Sequence, residues 1–176
     1  MIKENILVDT LRISGFRGIQ NLEITFAPMT VLIGVNNSGK TTLLKALGLA
    51  LGEYGWYITD EDFFIGEDEK KATEIVVDIR IVPATSDGQR VNVFNTVWQS
   101  EFGDKIKAEA NSDQYVAIRT RVSLNEIKGG FQVDRATMEK WPVKWTPRSR
   151  PLNGSFKIEA TWVRSWPSYW GGWALR

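Results

Sequence analysis

Thr30-Val31-Leu32-Ile33-Gly34-Val35-Asn36-Asn37-Ser38-Gly39-Lys40-Thr41-Thr42 is the stretch on which the fold turns. Val31 to Ile33 is a short apolar run that predicts a buried strand, and Thr41 to Leu51 predicts a helix with Leu43, Leu44, Leu47 and Leu51 on one side. Between the two stands G-x-x-x-x-G-K-T, the spacing of a phosphate-binding loop.

The chemistry explains that spacing. Phosphates carry dense negative charge, so they need several donors converging on one point, and successive backbone N–H groups of a curled loop supply them. Gly34 and Gly39 let the backbone curl and approach closely, while Val35, Asn36, Asn37 and Ser38 form the body of the loop. A helix opening directly from such a loop turns its unpaired N–H groups and positive dipole end toward the same point. In this geometry Lys40 is the candidate for the β- and γ-phosphates, and so for catalysis. Thr41 is the candidate Mg²⁺ ligand, and Thr42 the candidate for the α-phosphate. The expected ligands are therefore a nucleotide and Mg²⁺.

Working outward, 176 residues with 43% hydrophobic content suit one domain with a sizeable core. No apolar run reaches the roughly 18 residues a membrane span needs, and Met1-Ile-Lys-Glu-Asn does not read as a signal peptide, so a cytoplasmic location is the default expectation. There is no cysteine, which excludes disulfides, thiolate nucleophiles and thiolate metal sites. There is no histidine, which excludes a Ser-His-Asp triad and imidazole ligation of zinc. Carboxylate, lysine and hydroxyl chemistry remains, and it suits Mg²⁺-nucleotide work.

Net charge is only +1, but residues 1–118 hold 11 Lys+Arg against 17 Asp+Glu, whereas residues 119–176 hold 11 against 4. A basic, tryptophan-rich second half could follow a phosphate backbone and stack bases, or it could face an acidic neighbour or solvent. Upstream of the loop, Ile6 to Ser14 and Ile19 to Phe26 alternate as strands around Phe16-Arg17-Gly18, which predicts a hairpin.

Leu11-Arg-Ile-Ser-Gly-Phe16-Arg17-Gly-Ile19, then Asn21-Leu-Glu-Ile-Thr-Phe26, then Thr30 to Leu47 with the loop inside it, resembles the N-terminus of the OLD (overcoming lysogenisation defect) family of ATP-dependent endonucleases. These are relatives of the RecF and SMC group of ABC-type AAA ATPases. Asp60-Glu61-Asp62-Phe63-Phe64 resembles the acidic-aromatic segment that trails the family's first helix. The detailed likeness covers residues 7–82. It implies a P-loop NTPase fold, α/β tending to α+β, in which a mixed or antiparallel sheet surrounds the P-loop helix and the second half is β-rich. Residues 1–82 would form the ATPase core lobe and residues 83–176 its β-rich continuation. The resemblance also makes Arg17 a candidate nucleotide ligand beside the phosphates.

Other elements of that enzyme class are not evident. Glu74 to Val82 reads as a strand, and its I-V-V-D run resembles a Walker B element. Yet no glutamate follows Asp78, and the alternation of Ile75, Val77, Ile79 and Ile81 puts Asp78 on the opposite, solvated face. Asp60, Glu61 and Asp62 invite a metal reading, although a helix cap and a solvated edge explain them as well. Tyr115 to Leu124 and Phe131 to Val133 predict a second hairpin, and Ile127-Lys-Gly-Gly-Phe-Gln132 echoes the ABC signature but reads as its Gly-Gly turn. Val91 to Gln99 reads as a strand or short helix and Glu101 to Asn111 as a surface excursion. Ser155 to Arg164 reads as the last strand, before a tryptophan-dense end suited to packing on further sequence or stacking on bases.

The resemblance places the true Walker B and the Toprim nuclease domain beyond residue 176. The expectation is therefore a truncated or naturally short ATPase lobe that binds ATP-Mg²⁺. Hydrolysis would need a second copy or a missing C-terminal half, DNA would enter only through the complete family architecture, and this chain alone would not cut it. Two alternatives stand beside it: a non-enzymatic nucleic-acid-binding module using the basic aromatic half, and a small P-loop kinase or GTPase, although no N-K-x-D-like guanine reader is found.

Overall fold

The computed structural model describes residues 5–36, 38–53, 58–125 and 129–145. Alternating apolar residues build strands β1 (Asn5–Phe16), β2 (Ile19–Thr25), β3 (Glu74–Ala84), β5 (Gln114–Leu124) and β6 (Phe131–Thr137), with a two-residue β4 (Lys107–Ala108). They form one sheet in the order β2-β1-β3-β5-β4, with β6 also paired to β5 and every pairing antiparallel. Helix α1 (Lys40–Leu51) packs on one face of this sheet, and a short helix α2 (Thr96–Phe102) lies in the β3–β5 connection. The architecture is sheet-dominated, with few helices among the described residues.

Register explains which residues meet. One row across the sheet runs Leu22, Ile13, Val77 and Thr120, and the neighbouring same-face row runs Ile24, Leu11, Ile79 and Ile118. Leu11, Ile13, Val77 and Ile79 are fully buried together with Leu43, Ala46, Leu49 and Ala50 of α1. The expected helix is thus present, but its buried side differs. Leu44 and Leu51 are 58% and 53% exposed. At 3.6 residues per turn they flank Leu47, which is half-buried and packs against the edge of the core, while Ala46 and Ala50 let the helix backbone come close to the sheet. The predicted buried strand at Val31–Ile33 is also corrected. Val31 and Ile33 are 43% and 62% exposed, while Leu32 between them forms a single β-bridge and packs against the core, and among the described residues the segment is not part of a longer strand.

The opposite face of the sheet is closed, not solvated, and joins an ion-paired row to a small apolar cluster of Val82, Tyr115 and Ala117. Asp78 is 1% exposed and accepts two hydrogen bonds from Arg119, at 2.7 Å from both Nε and Nη2. This corrects the expected solvent-facing Asp78. Its carboxylate in turn holds the Arg119 guanidinium pKa above its ordinary value. Arg12, Asp78 and Arg119 are successive cross-strand partners, with Glu23 beyond Arg12, so the row alternates in charge across four strands. Residues 138–145 fold back over this face: Trp141 lies 4.0 Å from the Arg12 guanidinium, and the Pro142 carbonyl accepts from Arg12 Nη2 at 2.9 Å.

Both predicted hairpins form. Arg17-Gly18 joins β1 to β2, and Gly129 and Gly130, at φ 67° and 80°, lead into β6, where Asn125 N–H donates to the Gly130 carbonyl. The Gly-Gly turn therefore opens a strand and not a helix. Residues 91–111 form α2, a single 3-10 turn and β4. The predicted strand at 155–164, the tryptophan-dense end, Tyr54, Trp56, Tyr57, Ile127 and Lys128 lie outside the described residues. Among the described residues no helix is long and apolar enough to cross a membrane.

Candidate nucleotide site

Gly39 precedes α1 with φ 84°, a left-handed conformation that glycine adopts without steric cost, and it offers the helix no side-chain cap. The first turn of α1 holds no acidic residue and begins with Lys40. That is electrostatically inverted, because the helix dipole favours anions at its N-terminus and disfavours cations there. A lysine on an uncapped helix start is stabilised when an anion lies against it.

Lys40 spans the loop. Its Nζ donates to the carbonyls of Gly34 at 2.7 Å and Val35 at 2.8 Å and to Ser38 Oγ at 3.1 Å, which uses all three ammonium donors. These bonds draw the two ends of the loop toward each other. Leu43 N–H closes the first helical turn onto the Gly39 carbonyl at 2.9 Å.

An open cleft of about 500 Å³ lies over this helix start, lined by Arg17, Gly18, Asn36, Ser38, Gly39, Lys40, Thr41 and Thr42. The structure thus brings together on one cleft every described residue singled out from the sequence except Gly34, which touches the site through its bond from Lys40. Asn37 lies outside the described residues. Among the described residues the lining carries two cations, hydroxyls and amide groups and no carboxylate. Among the described residues no cluster of three or more acidic side chains could hold a metal by itself. Asp78 is not in this cleft. It lies on the face of the sheet away from α1, paired with Arg119, and the metal reading of that residue has no support.

Arg17 reaches the cleft from the β1–β2 turn. Its φ of 50° is the left-handed value that suits the first position of a tight hairpin loop, and its backbone N–H donates to the Asp62 carbonyl at 2.7 Å. Its Nε donates to Asp62 Oδ1 at 2.6 Å. Asp62 is itself 1% exposed, and its second oxygen accepts from Thr59 N–H at 2.9 Å as the cap of the 3-10 turn Asp60–Asp62. Asp60 is exposed and pairs with Lys71. The three acids thus divide, with Asp62 capping as expected but also gripping Arg17. No local pattern announces that contact, which spans 45 positions of sequence.

A cationic cleft at a helix start, over an antiparallel sheet, is the framework of an anion-binding lobe. The chain belongs to the family described as Protein of unknown function (DUF2813), whose profile matches residues 6–135. It is 29% identical over 103 residues to the OLD nuclease of Thermus scotoductus, a stretch covering 56% of this chain and 19% of that protein. The chain therefore spans about a fifth of that relative, and the OLD resemblance is borne out. Among solved structures it is similar to an SMC ATPase described for ATP-driven dimerization and DNA-stimulated activation, with 21% identity, a TM-score of 0.45, and 73% and 68% of the two chains covered. An Smc head domain from Pyrococcus yayanosii matches with 20% identity and a TM-score of 0.46, over 76% of this chain and 24% of that one. A Pyrococcus furiosus Smc head bound to the C-terminal domain of ScpA matches with 21% identity and a TM-score of 0.47, over 76% and 31%.

Proposed function

We infer that this chain is the ATP-binding lobe of an OLD-like ATP-dependent endonuclease. The observation that carries this reading is the uncapped start of α1, with Lys40 on it and Arg17 lining the same cleft, where no carboxylate stands among the described residues. Phosphate oxygens would take the Lys40 ammonium from the loop carbonyls, and the N–H groups of the loop and first helical turn would bond them directly. Arg17 would neutralise charge from the other wall. Mg²⁺ would supply further charge neutralisation, and Thr41 is the residue that would hold it, which fits a described lining that offers hydroxyls.

Phosphoryl transfer rests on positioning and on stabilising charge, so a lobe of this kind binds nucleotide while lacking most of the rate. Hydrolysis is assigned to a complete site, built with a second copy or with the remainder of an OLD-like protein, and DNA is assigned to that complete assembly. The basic second half gives less support to a nucleic-acid module, since Arg119 is engaged by Asp78 and Arg121 sits 3.1 Å from Glu74.

Calorimetric titration of ATP with Mg²⁺ tests the reading. The wild-type chain binds and Lys40→Ala loses at least about tenfold in affinity, as expected when a charge-assisted contact is removed. Equal binding by the two proteins overturns it. Phosphate release measured on the same samples stays at background.

A further inference from the structure

We propose that Asp62 is a positioning residue of the nucleotide site, holding the Arg17 side chain at the cleft so that it meets phosphate at little ordering cost; this rests on the reading of the cleft as an ATP site. The two residues are joined twice. The Asp62 carbonyl takes the Arg17 backbone N–H at 2.7 Å, and Asp62 Oδ1 takes Arg17 Nε at 2.6 Å. The first bond fixes the turn and the second fixes the guanidinium about its long, otherwise flexible stem.

Asp62 can do this because it is itself immobile. Its other oxygen is tied to Thr59 N–H, and its neighbour Phe63 is buried in the core and bridged to Phe16, the residue before Arg17. Phe64 N–H donates to the Gly15 carbonyl at 2.9 Å, so the segment that follows Asp62 runs antiparallel alongside the end of β1. The carboxylate meets Arg17 from below, since Asp62 is buried and does not line the cleft, whereas Arg17 does. A buried carboxylate behind a cleft-facing arginine orients it without presenting negative charge to an incoming phosphate. An arginine that has to be ordered on binding costs rotamer entropy, and one already held does not.

The test is a double-mutant cycle on the full 176-residue chain, reading ATP-Mg²⁺ affinity and melting temperature for wild type, Arg17→Ala, Asp62→Asn and the double variant. Asn keeps the size of the side chain and an oxygen for the Thr59 cap but weakens the hold on Arg17. Asp62→Asn should lose about tenfold in affinity when Arg17 is present and essentially nothing further when Arg17 is Ala. Any drop in melting temperature should appear in both backgrounds, which separates the cap from the positioning role.

Equal affinity losses in both backgrounds overturn the proposal, because Asp62 then acts on the fold and not through Arg17. Unchanged or tighter binding by Asp62→Asn, or wild-type binding by Arg17→Ala, overturns it as well. If Asp62→Asn melts below the assay temperature, Asp62→Glu, which keeps the charge but displaces it, takes its place in the cycle with the same outcomes. Lys40→Ala runs in parallel: binding that does not depend on Lys40 rejects the nucleotide site itself and Asp62 with it, whereas Lys40-dependent binding with an additive cycle rejects Asp62 alone.

Discussion

Asp78 shows how a single residue changes meaning when its partner is visible. In sequence it follows an apolar run in the manner of a metal-holding aspartate. In the structure its two oxygens are occupied by Arg119, beneath a closed face of the sheet. A buried carboxylate stripped of its partner is costly, so Arg119→Ala should destabilise the chain by about 3 kcal/mol, the lower end for breaking a buried pair because Arg119 is itself half-buried. Asp78→Asn leaves a neutral amide in the same place and should cost less. Urea denaturation gives both values. Neither substitution should change ATP affinity, and a loss confined to Asp78→Asn would return the residue to the metal reading. Strand alternation correctly put Asp78 on the face opposite Ile75, Val77, Ile79 and Ile81. What alternation cannot convey is whether that face is wet, because Arg119 arrives from 41 positions away.

Among the elements, α1 joins the site to the core, and its two ends are terminated by different means. Its N-terminus is left to Lys40 and the loop. Its C-terminus ends at Gly52, φ 97°, whose N–H together with that of Glu53 satisfies the Leu49 and Gly48 carbonyls. Arg135 of β6 adds a hydrogen bond to the Leu49 carbonyl at 2.9 Å, a cation placed where the helix dipole is negative. Gly52→Ala forces a side chain into the left-handed region and puts its Cβ 3.1 Å from Arg135 Nη1. It should cost about 1–2 kcal/mol, read as a lower urea midpoint with an unchanged slope. The helix, the loop and both hairpins were legible because their signals are local: a glycine pair at fixed spacing, period-two alternation, a Gly-Gly turn. Which side of α1 is buried was not, because leucines outrank alanines in any apolar count. Close approach to the sheet depends instead on the small residues Ala46 and Ala50. The exposure of Val31 and Ile33 was equally hidden, since an apolar run reports the preference for burial and not the presence of a neighbour to supply it.

For the whole molecule, the sheet divides two kinds of interior. The α1 side is apolar and supports the proposed nucleotide cleft; the other side joins the apolar cluster of Val82, Tyr115 and Ala117 to an ion-paired layer that takes in Asp9, Arg12, Asp78, Arg80 and Arg119. Trp141 ties that second layer together, because it touches three strands. Its ring lies 4.0 Å from the Arg12 guanidinium of β1 and 5.6 Å from that of Arg80 of β3, and its backbone N–H donates to the Tyr115 hydroxyl of β5 at 3.2 Å. Arg12 is buried, and its Nη1 finds no hydrogen-bonding partner among the described residues, so the aromatic face is the principal compensation for that edge of the cation. Trp141→Ala removes this cover and opens Arg12 and Arg80 to water at once. The expected loss is about 2 kcal/mol, below the range for a fully buried tryptophan because Trp141 keeps partial exposure, and for a chain of this size it corresponds to a melting temperature lower by about 4–8 °C. Amide exchange should speed up first along β1 and β3 on the rows holding Arg12 and Arg80, while ATP affinity stays within about twofold because the cleft lies on the other face. Faster exchange confined to α1, with β1 and β3 protected as before, would show that the two interiors are not independent and that Trp141 acts through the nucleotide side.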